Sequence, residues 1–198
     1  MYFRYTMRIK QIKSELNKFS NKDKAQILAR FFKTGKGEYG EGDKFIGVQI
    51  PTIRKITKTC PNLNFKEINE LLCSSIHEER MIGTLSLVSQ FETAQKKNDG
   101  KKLGKIYYFY LKNTTKFNNW DFVDLSAPKI VGTYLVNKKN EREILNTLSK
   151  SNKKGKNGFD YLWERRIAIL ATFAFIRNNE FGPTLKLAKQ YLVEEHDL

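Results

Sequence analysis

The chain has 198 residues, 40% of them hydrophobic and 29% charged, so it is long enough for one domain with a buried core. It carries 36 Lys and Arg against 21 Asp and Glu, which gives a formal charge of +15 and a pI near 9.7. No run approaches the ~20 apolar residues that span a bilayer, and the two cysteines suit neither a disulfide framework nor a metal site. We therefore expect no membrane association, no metal and a location in the reducing cytoplasm.

The surplus of positive charge is informative about partners rather than about the fold. Nucleic acid is the commonest polyanion that a basic domain meets, so the charge favours a nucleic-acid ligand, either DNA or RNA. A composition rich in lysine and asparagine also arises from genomic base bias, and many basic proteins bind no nucleic acid. Charge alone leaves both interpretations open.

Helices are predicted almost throughout, because apolar residues recur three and four positions apart and the chain has only four prolines. MRIKQIKSELNKF predicts the first helix, and DKAQILARFFK predicts a second that begins at Asn21 or Asp23. TGKGEYGEGDKFIG has five glycines in fourteen residues and predicts a loop. The next helix, PTIRKITK, carries Pro51 in its first turn, where proline is tolerated.

The rest of the chain continues the helical pattern. Few stretches alternate with a period of two, so no sheet is expected. SNKKGKNGFD, with three lysines and two glycines, predicts a second loop. Further helices are predicted at residues 65–74, 78–95, 99–113, 119–136, 140–150, 161–177 and 181–193. The predicted fold class is therefore all-α.

A repeated organisation is visible in SSIHEERMIGTLSLVSQF, KFNNWDFVDLSAPKIVGTYL and GFDYLWERRIAILATFAFIR. Each segment has a charged residue near the start of a long apolar helix. Arg80, Asp124 and Arg166 occupy this position, separated by 44 and 42 residues. A recurrence of ~40–47 residues with two helices per unit is typical of HEAT or armadillo repeats. We therefore expect residues 1–198 to form a single HEAT-like repeat domain, a solenoid whose concave basic face these positions line.

The densest group of chemically informative residues is FNNWDFVDLSAPKI. Trp120 and Asp124 are four residues apart and share a face if the segment is helical, whereas Asp121 points elsewhere. The alternative is structural, because an Asp near a helix start interacts well with the helix dipole and Trp often belongs to the core. A carboxylate that faces a basic, nucleic-acid-binding groove is electrostatically unfavourable, so its presence favours a functional role for Asp124.

A second candidate group follows the basic, glycine-containing loop. Arg166 begins a strongly apolar helix and can grip a phosphate with two parallel hydrogen bonds, while lysines of the loop act as point charges. The alternative is a solvated helix start in which Arg166 pairs with a local acid such as Glu164. For Arg165 the alternative to DNA binding is a structural role. For Lys129 the alternative is a solvated side chain without a ligand. The predicted nucleic-acid-binding residues are Arg166, Arg165, Lys153, Lys154, Lys156 and Lys129.

GDKFIGVQIPTIRKITK, NNWDFVDLSAPKIVG and LWERRIAILATFAFIR, in this order, resemble the AlkD-type DNA alkylation repair family, from about Phe45 to the C-terminus. The resemblance implies a HEAT-like fold and a monofunctional DNA glycosylase that needs no metal or organic cofactor. Its implied substrate is duplex DNA that contains N3- or N7-alkylated purines. It also implies that Trp120 and Asp124 lie at the lesion and that Arg166 contacts the DNA backbone. We expect such a protein to act as a monomer in the cytoplasm, associated with the nucleoid.

These residue types suit that chemistry. Alkylation at N7 or N3 makes the purine cationic, and the positive charge passes to the deoxyribose as the glycosidic bond breaks. A fixed carboxylate such as Asp124 stabilises this charge and can position the attacking water. An indole face such as that of Trp120 favours cations by ~0.5–2 kcal/mol. No general acid is required of His77 or His196, and no lysine stands out as an imine-forming nucleophile, so no lyase step is expected.

The resemblance also implies a further helix with a second aromatic residue beyond YLVEEHDL. We therefore expect the C-terminal repeat to be truncated and the apolar face that it caps to be exposed. Two other functions stay open: a non-catalytic HEAT-like protein that binds nucleic acid, and a protein-interaction scaffold. The effect of Asp124→Asn distinguishes the first, and the salt dependence of DNA affinity distinguishes the second.

Overall fold

The computed structural model describes residues 2–152, 158–194 and 196, with side chains from residue 8 onward. The regular secondary structure of these residues is helical. They also contain an isolated β-bridge between Lys44 and Ile76. The predicted all-α fold class is confirmed. No helix of the described part is long and apolar enough to cross a membrane.

Short turns connect most of the helices. The α-helices, in chain order, are α1 (Tyr2–Asn17), α2 (Lys22–Phe31), α3 (Ile50–Thr59), α4 (Phe65–Leu72), α5 (His77–Lys96), α6 (Gly100–Lys112), α7 (Trp120–Ala127), α8 (Thr133–Leu135), α9 (Glu143–Ser149), α10 (Asp160–Ala171), α11 (Phe173–Ile176) and α12 (Gly182–Tyr191). Short 3₁₀ turns lie at Thr114–Lys116 and Lys139–Glu141, and a π-helical turn lies at Pro128–Gly132.

The chain divides into two compact units, Met1–Gln90 and Phe91–Leu198, and the boundary falls within α5. The expectations of a single repeat domain and of a concave basic face stay predictions.

In the first unit, Glu78 holds the end of the glycine-rich loop. Glu78 is 1% exposed. Its carboxylate accepts hydrogen bonds from the backbone N–H groups of Ile46, Gly47 and Val48 at 2.8–3.2 Å. A buried carboxylate needs such donors to offset the loss of water. The predicted loop is therefore present, and its last residues are fixed by an acid from α5.

Two local helix signals in the first unit are confirmed. Asn21 caps α2, since its side-chain oxygen accepts the N–H of Lys24 at 2.9 Å. Pro51 lies in the first turn of α3, where its missing N–H costs no hydrogen bond. Both signals involve only neighbouring residues, which is why the sequence reveals them.

In the second unit, one predicted helix contains a π-helical turn and another is interrupted. The helix expected at 119–136 runs from Trp120 to Leu135 and widens into the π-helical turn at Pro128–Gly132, because Pro128 has no N–H and its ring crowds the preceding turn. The helix expected at 161–177 is divided at Thr172, whose hydroxyl donates to the carbonyl of Ile169 at 2.6 Å. The sequence located both helices correctly, but the predicted continuity of the second is wrong.

Helix α10 is the packing centre of the second unit and contacts α7, α9 and the π-helical turn. Trp163, Ile167, Ala168 and Ala171 on this helix are fully buried. The closest approach is at Gly132, where an added Cβ would lie 2.1 Å from the carbonyl oxygen of Ala171. Glycine is required there, and the contact fixes how closely the turn after α7 approaches α10.

Apolar side chains are exposed on and after α12. Leu185 is 67% exposed, Leu192 82% and Val193 88%. The expected truncation of a repeat and the apolar face that it would uncover stay predictions.

Replacing Gly132 by alanine is expected to lower the free energy of unfolding by about 1–3 kcal/mol, because the methyl group overlaps the Ala171 carbonyl. Gly104→Ala in α6 is the matched control. The nearest atom to an added Cβ there is the Tyr134 hydroxyl oxygen at 3.6 Å, so alanine is expected to stabilise α6 by up to about 1 kcal/mol. Urea unfolding measures both effects, and equal stability of the two variants would contradict the close-packing argument.

Candidate functional site

Asp124 and Arg166 form a bidentate ion pair in the second unit. The Nε and Nη2 atoms of Arg166 donate to Oδ1 and Oδ2 of Asp124 at 2.7 and 2.9 Å. The side chain of Asp124 is 37% exposed and that of Arg166 is 18% exposed. The carboxylate therefore reaches solvent while a guanidinium holds it in a fixed geometry.

The packing of α7 against α10 brings the pair together across 42 residues of sequence. Asn119 caps α7, with its Oδ1 accepting the N–H of Trp120 at 2.9 Å. Just before this helix, the hydroxyl of Thr114 donates to the buried carboxylate of Glu164 on α10 at 2.7 Å. Contacts both before α7 and after it, at Gly132, thus hold this helix against α10.

Trp120 is the first residue of α7 and lies one turn before Asp124, so the two side chains project from the same side of the helix. Trp120 is partly exposed. Asp121 is only 8% exposed, and its Oδ1 accepts the N–H of Phe122 at 2.8 Å. The two acids of the segment therefore differ: Asp121 is buried at the helix start, whereas Asp124 faces outward beside Trp120.

A buried hydrogen bond joins another side of α7 to α6. The hydroxyl oxygen of Tyr110 lies 2.9 Å from that of Ser126. Burial raises the pKa of the Tyr110 phenol well above its usual range; the Ser126 bond lowers it, and the negative charge of Asp124 raises it further. Tyr110 is therefore a neutral hydrogen-bonding group beneath the site.

Arg165 has several partners within the second unit. Its Nε donates to the carbonyl of Ser151 at 3.0 Å, and its guanidinium pairs with Glu194 and lies 4.8 Å from the centre of the Tyr161 ring. These contacts favour the structural alternative that the sequence left open. A DNA-binding role for Arg165 stays a prediction.

The predicted DNA-binding lysines have different outcomes. Nζ of Lys129 lies 2.6 Å from Oε1 of Glu92, and both side chains are 44% exposed. The charge of Lys129 is therefore at the surface and shared with an acid. Lys153, Lys154 and Lys156 lie outside the described residues, so their role stays a prediction.

Arg80 was predicted to occupy the same repeat position as Asp124 and Arg166. It belongs to a buried ionic cluster of the first unit rather than to an exposed face. It is 6% exposed, and its Nη1 donates to Oδ1 of Asp43 at 3.0 Å. Nδ1 of His77 lies 2.6 Å from the other Asp43 oxygen, and the His77 ring stacks on Phe45. Sequence reasoning missed this cluster, because Asp43 lies more than 30 residues from both partners.

No group of three or more His, Cys, Asp or Glu side chains that could hold a metal ion is found among the described residues.

A helical, strongly basic chain that exposes an acid beside an arginine and a tryptophan has the features of an enzyme that acts on nucleic acid. Residues 12–198 match the family described as DNA alkylation repair enzyme. The chain belongs to this family, so the predicted resemblance is confirmed and DNA is the implied partner. A comparison with curated proteins finds no match.

The pairing of Asp124 with Arg166 is expected to give a coupling free energy of about 1 kcal/mol at low salt, falling as salt screens the charges. A double-mutant cycle with Asp124→Asn and Arg166→Gln, followed by urea unfolding, measures it. The pair Lys138–Glu141, whose side chains are 41% and 37% exposed, is the control and should couple more weakly. Strict additivity of the Asp124 and Arg166 substitutions would show that the pair does not form in solution.

Proposed function

We propose that this protein is a monofunctional DNA glycosylase that hydrolyses the N-glycosidic bond of cationic N3- and N7-alkylated purines in duplex DNA. The observation that supports this most directly is the outward carboxylate of Asp124, held by Arg166 one helical turn after Trp120. The chain carries a charge of +15 and belongs to a DNA repair family, so an exposed acid opposes DNA binding unless it has a use in the reaction.

Asp124 is the proposed catalytic residue, and it acts as an ionised carboxylate. When the bond between the sugar and the alkylated purine breaks, its electron pair passes to the purine and neutralises the positive charge there. The sugar becomes an oxocarbenium ion, which a fixed carboxylate stabilises through space. Water then adds to the sugar carbon, and its proton is taken up by the carboxylate or by solvent.

Trp120 is proposed to select the charged lesion. The face of an indole ring is electron-rich and attracts a cation more strongly than a neutral group. Because Trp120 and Asp124 project from the same side of α7, a cationic purine near the ring has its sugar near the carboxylate. Lesion selection and catalysis would then depend on one turn of helix.

Arg166 is proposed to exchange partners when DNA binds. In the structure it binds both oxygens of Asp124, and a phosphate offers a guanidinium the same bidentate geometry. A DNA phosphate that draws Arg166 away from Asp124 leaves the carboxylate available to the sugar. The same contact holds the backbone beside the acid, which reduces the entropic cost of the reaction.

No cofactor and no lyase step enter this proposal. An alkylated purine needs no protonation to leave, so no general acid is assigned. His77 is 3% exposed and belongs to the buried Asp43 cluster. Lys129, near Asp124 in the sequence, is paired with Glu92, and we assign it no nucleophilic role.

The ion pair also supports a second candidate function, a non-catalytic family member that binds DNA. A bidentate pair between a carboxylate and an arginine stabilises a fold, and here the pair joins α7 to α10. In that case Asp124 contributes to stability alone, and the protein binds DNA through shape and charge without releasing a base.

Asp124→Asn is expected to slow the release of N7-methylguanine from duplex DNA by about 100-fold or more, because the amide cannot stabilise a cationic sugar. DNA affinity should stay the same or rise, since a negative charge is lost. Release of free base, corrected for spontaneous depurination, measures the rate. Glu92→Gln, which also removes a surface acid of the second unit, is the control and should release base at nearly the parent rate.

The two candidate functions predict different results in this assay. Base release by the parent that is lost in Asp124→Asn supports the glycosylase. DNA binding without base release by the parent supports the non-catalytic alternative. An Asp124→Asn variant that is as fast as an active parent would eliminate Asp124 as a catalytic residue.

Trp120→Leu is expected to weaken the preference for cationic N7-methylguanine over guanine by about 2- to 30-fold, which corresponds to the loss of ~0.5–2 kcal/mol. The ratio of the two dissociation constants, measured on otherwise identical duplexes, is the readout. Trp120→Phe keeps an aromatic face and should retain part of the preference. An unchanged ratio in Trp120→Leu would assign the tryptophan a purely structural role.

A further inference from the structure

Four exposed side chains form a stripe along α6: Lys101, Lys105, Tyr108 and Lys112, which we name the α6 outer face. Their spacing of four, three and four residues places them on one side of a helix. Tyr108 is 59% exposed. At 1.5 Å per residue the stripe is about 16 Å long.

The α6 outer face is electrostatically unfavourable for the helix itself. Lys101 and Lys105 are like charges one turn apart. Lys101 lies in the first turn, where the helix dipole disfavours positive charge, and the acid at this end is the N-cap Asp99, which accepts the N–H of Lys102 at 2.9 Å. Within the described residues, none of the three lysines of the stripe has an ion-pair partner. Three lysines without an ion-pair partner on one exposed helix face favour an external ligand with negative charge.

Tyr108 is held from beneath by other aromatic residues. Its ring lies edge-on to that of Tyr134, with centroids 6.3 Å apart, and Tyr134 stacks on the buried Tyr107 at 3.9 Å. Lys138 adds a cation 4.8 Å from the centre of the Tyr134 ring, although it also pairs with Glu141 at 2.9 Å. The exposed tyrosine therefore stands on a packed support among lysines.

The α6 outer face and Asp124 point to opposite sides of the α6–α7 pair. Tyr110 faces α7, because it hydrogen-bonds Ser126. Tyr108 is two residues from Tyr110, about 200° around the helix, so it faces away from α7. On α7, Asp124 is likewise two residues from Ser126 and faces away from α6.

We propose that the α6 outer face binds the phosphodiester backbone of a second DNA duplex while the first duplex occupies the side of Asp124 and Arg166. Lysines supply point charges for phosphates, and tyrosine side chains also contact phosphate oxygens. DNA is stiff over about 150 base pairs, so one duplex does not pass around the helix pair to reach both sides. A protein with two such faces passes from one DNA segment to another without first dissociating. The placement of the first duplex beside Asp124 and Arg166 rests on the proposed function. The binding of a second duplex to the α6 outer face does not.

A two-duplex capture assay tests this proposal. A lesion-free duplex is immobilised, the full chain is bound to it, and a fluorescent lesion-free duplex is then added. The parent should capture the second duplex, with a log–log salt slope of about −2.7 for three phosphates. Lys101→Gln, Lys105→Gln and Lys112→Gln combined should reduce capture per bound protein at least tenfold. The matched control combines Lys22→Gln, Lys55→Gln and Lys58→Gln, which neutralise three exposed lysines of the first unit and should leave capture per bound protein unchanged.

Four outcomes would overturn the proposal: no capture by the parent, full capture by the α6 variant, equal loss in the control, or capture of poly-glutamate in preference to DNA. The last outcome would assign the face to an acidic protein partner. Because both duplexes lack lesions, capture is scored without base release. Failure of the glycosylase proposal and failure of this one are therefore distinguishable.

Discussion

The contact between α7 and α10 is the constraint on which the rest of the second unit depends. Gly132 allows the backbone after α7 to touch Ala171, and Thr114 bonds the buried Glu164 just before α7. With both ends held, the side chains in between have little freedom in how they meet. Asp124 and Arg166 then come within 2.7 Å of each other, although neither is part of the buried core. A rigid packing contact thus provides the precise placement that a charged site at the surface requires.

In the second unit, the carboxylate of Asp124 has a positively charged partner. A lone carboxylate on a chain of charge +15 attracts the nearest guanidinium, and Arg166 meets it with two parallel hydrogen bonds. A phosphate offers a guanidinium the same bidentate geometry, which is the basis of the proposed exchange of partners when DNA binds. On the far side of α6, none of the three lysines of the outer face forms an ion pair within the described residues. The two faces therefore differ in chemistry: one combines acid and base, and the other carries positive charge and an aromatic ring.

The sequence predicted the helices well where their signals are local. Asn21 and Pro51 mark helix starts correctly, and the glycine-rich segment is a loop. Prediction was wrong about continuity at Thr172, since an apolar pattern persists through an interrupted helix and conceals the break. At Pro128 the helix continues through a π-helical turn that the apolar pattern does not reveal. It was also wrong to group Arg80 with exposed charges, because periodicity places a residue on a helix face without showing what covers that face.

For this protein the sequence by itself determined the helical fold class, the family and the alignment of Trp120 with Asp124, because each depends on composition, motif or residues one turn apart. Only the tertiary structure decided the partner of Asp124. From the sequence, Glu164 was a plausible partner for Arg166, yet the bidentate pair joins residues 42 positions apart. The Asp43–His77–Arg80 cluster is likewise assembled across more than 30 residues. Such contacts follow from how helices pack, and the packing depends on the volumes and close approaches of many distant residues at once.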